Sequence, residues 1–76
     1  MTTQGRARSG YSAWRLIADE LRREIVAGSK APGTKLPAEG ELAGRFGVHR
    51  NTVRQAVAAL AAEHLVVSRR GSAVLI

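Results

Sequence analysis

Gly47 stands between two apolar helical stripes with almost no chain to spare. Before it, Leu42, Ala43 and Phe46 recur at helical spacing; after it, Val53, Ala56, Val57 and Leu60 do the same. Only Phe46-Gly47-Val48 joins the two. One helix must therefore stop at the glycine and the next must leave at a sharp angle. Both stripes have to face one shared core, because 76 residues allow a single small domain. The spacing predicts helices over residues 38–46 and about 50–63.

An earlier stripe completes the helical part. Trp14, Ile17, Ala18, Leu21 and Ile25 mark one face of an amphipathic helix, with Ser12 as its N-cap and Gly28 as its terminator. The charges on its outer faces, Arg15/Asp19, Glu20/Glu24 and Glu20/Arg23, read as a solvated surface with one repulsive pair. Residues 28–37 form a loop turning at Pro32-Gly33, and Lys35-Leu36 is a very short strand before Pro37. At the C-terminal end, residues 65–69 and 73–76 flank Arg70-Gly71-Ser72 and predict a β-hairpin with glycine at its tip. Residues 1–10, MTTQGRARSG, lack periodicity and are expected to be a disordered arm preceding a domain over 11–76. The expected architecture is mainly α with a small β element: three helices, a short strand and a C-terminal hairpin.

Charge and composition narrow the function. Trp14, Tyr11 and Phe46 are the only aromatic residues, so the core must be aliphatic and alanine-rich. With no cysteine, disulfides, thiolate chemistry and the usual structural zinc sites are excluded. No apolar run approaches the ~20 residues of a membrane span, and no leader-like hydrophobic stretch opens the chain; a cytoplasmic protein without membrane partners is expected. The net charge is +6, and its placement is uneven: +2 over residues 1–10, zero over 11–41 and +4 over 42–76. Such segregation points to a polyanionic partner for the last part of the chain.

The third helix carries the sharpest signal. At about 100° per residue, Asn51, Arg54, Gln55, Ala58 and Ala62 lie opposite its apolar stripe, with Arg50 beside them at the first turn. Long hydrogen-bonding side chains thus stand near the start, and alanine follows where backbone would crowd phosphate. Arginine can bind guanine with two hydrogen bonds, and asparagine or glutamine can do so with adenine. An ordinary solvated helix would carry Glu and Lys pairs on that face, and none lies between Leu42 and Ala62.

Other patterns carry less. Residues 28–35, GSKAPGTK, resemble a phosphate loop, but the Gly-Thr-Lys order is inverted, Pro32 stiffens the loop and no buried strand precedes it. His49 and His64 stand fifteen positions apart without nearby metal-ligating partners, so no metal or other cofactor is expected. Glu39 and Glu41 point different ways on a helix, and no nucleophile–base arrangement is legible; an enzyme is not expected. Trp14 and Phe46 lie on apolar stripes and belong to the core. Arg6 and Arg8 can be a minor-groove arm or a solvated tail, and the tail is favoured.

The combined pattern of Leu36-Pro37-Ala38-Glu39-Gly40-Glu41-Leu42-Ala43, Phe46-Gly47-Val48-His49-Arg50-Asn51-Thr52-Val53-Arg54 and Glu63-His64-Leu65-Val66 resembles the GntR-type winged helix-turn-helix domain of bacterial transcription regulators. The resemblance runs from Tyr11 to Ile76. It implies binding to double-stranded DNA, with the third helix in the major groove and the hairpin wing at the minor groove. Carried over, it assigns DNA contacts to His49, Arg50, Asn51, Thr52 and Arg54, with Gln55 on the same exposed face, and to Arg70 and Gly71 at the wing tip. Three departures accompany it. Gly40 replaces an arginine that touches DNA, His49 replaces a Ser or Thr helix cap, and His64 and Ala73 stand where the family favours glycine. The resemblance further implies a repressor acting as a homodimer on an inverted-repeat operator, with a small-molecule effector bound by a C-terminal domain that this chain lacks. Two rivals are a winged helix used for protein interaction, which calls for an apolar third-helix face, and a basic RNA-binding domain, which calls for lysine and exposed aromatics.

Overall fold

The computed structural model describes residues 12–28, 31–69 and 72–76. The expected arm over residues 1–10, Tyr11, and the wing-tip pair Arg70 and Gly71 lie outside the described residues. Three helices, α1 (Ala13–Val26), α2 (Glu39–Phe46) and α3 (Arg50–Ala62), precede the strands β1 (Val66–Arg69) and β2 (Ser72–Leu75).

Each helix is bounded by identifiable local chemistry. Ser12 occupies the cap position of α1, but its side chain makes no capping hydrogen bond; its carbonyl instead accepts the Arg15 amide at 3.0 Å. On α2, Ala38 has no side-chain acceptor to offer. The Glu41 carboxylate reaches back to the Ala38 amide at 3.3 Å, and Glu39 and Glu41 place negative charge against the positive end of the helix. Gly47 then ends α2 in the left-handed region, at φ +68°. The Val48 amide returns to the Ala43 carbonyl at 3.0 Å, and the chain turns directly into α3.

Helix α3 is the hub, packed against α1, α2 and β1. Val53, Ala56 and Leu60 of its inner stripe are fully buried and meet Ile17, Ala18 and Leu21 of α1 and Leu42 and Ala43 of α2. Phe46 is only half-buried, packed at the edge of that cluster with the Arg45 guanidinium 4.8 Å from its ring centre. Burying a Leu or Val side chain is worth roughly 1.5–3 kcal/mol, against a few tenths for a surface ion pair. The aliphatic stripe, rather than the charges around it, therefore holds the helices together.

The hairpin closes the other side of the core. Val66 pairs with Leu75 and Ser68 with Ala73, and Val66, Ala73 and Leu75 are buried beneath α3. The expected short strand is realised as a single antiparallel bridge between Lys35 and Val74. Flanking bonds lock it: Gly33 N–H to the Leu75 carbonyl at 2.8 Å, Leu75 N–H to Thr34 at 2.9 Å and Leu36 N–H to Ala73 at 2.8 Å. Strand β2 consequently has a partner on each edge, and the wing is tied to the segment that leads into α2.

The charged surface of α1 is solvated, as expected, and in addition reaches the other helices. Arg22 places a two-pronged hydrogen bond on Glu63 just past α3, at 2.6 and 2.8 Å, while also reaching Asp19 at 2.7 Å. Glu24 accepts from Arg45 of α2, and Glu20 from Arg23 at 3.1 Å. The Glu20/Glu24 repulsion is thereby offset by two cations.

Candidate nucleic-acid interface

The polar face foreseen for α3 is present. Asn51, Arg54 and Gln55 are exposed, as is Arg50 at the first helical position, and Ala58 and Ala62 continue the same side. His49 is exposed just before the helix, whereas Thr52 is half-buried. Helix α3 is oriented by its buried stripe, so the outward direction of these side chains is set by Val53, Ala56 and Leu60 on the far side. Arg69 is exposed at the end of β1.

The histidine at position 49 makes a cap after all. Its Nδ1 accepts the Asn51 amide at 3.0 Å, the bond a Ser or Thr oxygen would otherwise accept. An accepting Nδ1 requires the imidazole proton on Nε2, leaving a ring donor for an outside acceptor. At the other end, His64 adopts φ +62°, the one non-glycine residue with positive φ among those described. Its amide bonds the Ala61 carbonyl and the Leu65 amide bonds Leu60, each at 3.0 Å, forming a Schellman closure. A glycine's backbone shape is kept by a residue with a side chain. Ala73, the other departure from glycine, fits by burying its methyl group in the core.

The first turn of α2 supplies what sequence reasoning missed. The Glu39 carboxylate receives Arg54 Nε at 3.2 Å and Nη2 at 3.1 Å, a partner that its spacing to Glu41 does not suggest. Arg54 Nη1 meanwhile donates to Asn51 Oδ1 at 3.0 Å. The guanidinium is thus spread between two helices with three of its five N–H groups directed. Hydrogen bonding to Arg54, reinforced by the charges of Arg54 and Arg50, holds the Glu39 carboxyl below the usual carboxylate range, and the same bond raises Arg54. Glu39 and Arg54 are fifteen residues apart, and no local spacing could pair them. The one available signal was an acid in the helix directly preceding a basic, otherwise acid-free helix.

Chemically, the surface offers directed guanidinium and amide groups at one end of a helix, suited to phosphate oxygens and base edges. Among the described residues no cluster of His, Asp or Glu could hold a metal ion, and no helix is long and apolar enough to cross a membrane.

Comparison with known proteins shows the family and the fold. Residues 15–76 match the family model described as bacterial regulatory proteins, gntR family. An uncharacterised HTH-type transcriptional regulator of Rhizobium meliloti is 45% identical over 88% of this chain and 28% of its own length. The mannosyl-D-glycerate transport/metabolism system repressor MngR of Escherichia coli is 44% identical over 78% of this chain and 25% of its own. This chain therefore spans about a quarter of the length of these curated relatives. Among solved structures, YtrA from Sulfolobus acidocaldarius, a GntR-family transcription factor, superposes with a TM-score of 0.79 at 34% identity, covering 86% of this chain and 69% of that one. AraR(DBD) in complex with operator ORX1 superposes with a TM-score of 0.78 at 30% identity, covering 96% and 92%.

Proposed function

Because this chain belongs to the gntR family of bacterial regulatory proteins, we propose that it is the sequence-specific DNA-binding domain of a transcription repressor. The observation that carries the reading is the exposed start of α3, where Arg50, Asn51, Arg54 and Gln55 stand together with alanine beyond them. Helix α3 enters the major groove, with Arg50 and Arg54 reading bases or gripping nearby phosphates and Asn51 and Gln55 beside them. The His49 ring and Thr52 hydroxyl face the flanking backbone. The wing approaches the minor groove, where Arg70 and Gly71 are the proposed contacts. Phosphate neutralisation supplies most of the affinity, and the first turns of α3 supply the choice of sequence.

Relatives about four times as long, and the operator-bound AraR(DBD), support the wider proposal. In it the domain works in a cytoplasmic homodimer whose two third helices sit about 34 Å apart on an inverted repeat. A small-molecule effector acts on a separate domain, and the role is binding rather than catalysis. The exposed face of α3 is polar, which speaks against a protein-interaction role, and aromatics are absent from the strands, which speaks against RNA stacking.

Selection from a random duplex library, followed by chemical-shift mapping on the enriched sequence, tests the proposal. Enrichment of one motif with shifts concentrated at residues 49–55 and 69–72 supports it. Retention of all duplexes alike, or shifts confined to α1, would overturn it.

A further inference from the structure

Resting on the DNA-binding reading above, we propose that Asn51 and Arg54 together form a donor-only reader of a guanine edge. Asn51 then does not read adenine, the base with which an asparagine ordinarily pairs. Three side chains stand in a row. Glu39 holds the side of the Arg54 fork made by Nε and Nη2, and Arg54 Nη1 donates to Asn51 Oδ1 at 3.0 Å. A guanidinium carries donors alone, so the Asn51 atom that meets it must be the carboxamide oxygen. The NH2 group is what Asn51 has left for an outside partner. Arg50, the other cation of this turn, does not compete for that oxygen. Its guanidinium lies over Gly40 of α2, where a Cβ would stand 2.9 Å from Nη2.

What remains at this corner of α3 is of one kind. Arg54 keeps one undirected hydrogen on Nη1 and one on Nη2, and Asn51 keeps both hydrogens of its NH2 group. The Asn51 oxygen has a second lone pair, but a donor reaching it must come up beside the guanidinium charge. Guanine presents two adjacent acceptors in the major groove, N7 and O6, and meets these donors without conflict. Adenine sets an amino group beside its N7 and would point a donor at donors. Gln55 is the contrast. It is exposed one position beyond Arg54 and makes no side-chain hydrogen bond among the described residues, so both ends of its amide are available for adenine. Because the carboxylate anchoring the row belongs to α2, the arrangement forms without DNA.

The test combines base replacement in the duplex that the wild type enriches with the variants Asn51→Ala and Arg54→Met. Both side chains are exposed, so neither replacement removes packing from the core. The base read by Asn51 is the position whose preference Asn51→Ala removes, and guanine is expected there. Inosine, which keeps N7 and O6, should bind as guanine does. Adenine and 7-deazaguanine should each bind about tenfold more weakly. Arg54→Met releases the Asn51 oxygen, and selection repeated with this variant should change the preferred base at that position to adenine, at lower overall affinity. Without DNA, the same variant should shift the Asn51 side-chain NH2 resonances, because the amide loses its charged partner. A base other than guanine at that position in the wild type, guanine retained in Arg54→Met, or unmoved NH2 resonances would each overturn the proposal. So would an Asn51→Ala variant that binds as wild type does, or one that weakens all duplexes alike and thereby assigns Asn51 to phosphate. All of these outcomes leave the DNA-binding reading intact. A wild type that enriches no duplex overturns that reading and this proposal with it.

Discussion

Glu39 holds Arg54 with both carboxylate oxygens, at 3.1 and 3.2 Å, across the junction between α2 and α3. An acid therefore stands inside the surface proposed to meet a polyanion. It fixes the arginine fork and at the same time offsets one positive charge. Replacing it by Glu39→Gln keeps the shape and removes the charge. Affinity for random duplex should rise severalfold, the salt dependence should steepen by about one unit, and discrimination should narrow. Anisotropy titrations at several salt concentrations measure all three, and an unchanged slope would show that the pair is already broken on DNA.

Arg54→Ala probes the other partner. It should weaken binding to the selected duplex by about ten- to hundredfold and leave affinity for random duplex much less affected. Equal losses on both duplexes would assign Arg54 to phosphate rather than to a base.

His49 caps α3 through Nδ1, so His49→Ala should destabilise the domain by about 1 kcal/mol and His49→Asn should restore most of it. Urea midpoints of the three proteins provide the comparison. An alanine variant as stable as wild type would mean that the ring contributes only to the outer surface.

His64 keeps a left-handed backbone, whose strain for a non-glycine residue is roughly 1–2 kcal/mol. Glycine relieves that strain but adds about 0.5–1 kcal/mol of unfolded-chain entropy. His64→Gly should therefore stabilise the domain by about 0.5–1 kcal/mol net, read as a higher melting temperature. A lower one would show that the imidazole makes a compensating contact.

Acid should weaken the fold in a traceable way. The hydrogen bonds from Arg22 hold the Glu63 carboxyl below its ordinary range. A depressed carboxylate contributes stability that is present above its unfolded pKa, about 4.3, and is lost as pH falls through the folded value. The arginine stays charged throughout. Glu63→Gln should thus be less stable than wild type near neutrality and converge with it in strong acid. Urea midpoints from about pH 7 down to about pH 3 follow the difference, and parallel curves would rule out Glu63 as a source of acid lability.

The helices, their order and the polar face of α3 were legible because they depend on local periodicity. Ile17, Leu21, Leu42, Val53 and Leu60 repeat at the spacing that buries one helical face, and each is buried. The turn at Gly47 was legible for a similar reason, since few residues tolerate its positive φ. The hairpin followed from two apolar runs about a glycine. Less could be said of Ser12, whose residue type allowed a cap that its side chain does not make.

By itself, then, the sequence determined which residues become helix or strand and which side of α3 is polar, since both follow from contacts within a few positions along the chain. The tertiary structure alone decided what that polar side touches. Glu39 meets Arg54 and Gly40 receives Arg50 because shared burial of Leu42, Ala43 and Val53 sets the angle between α2 and α3. That angle, which no local pattern encodes, brings the first turn of one helix beneath the arginines of the next.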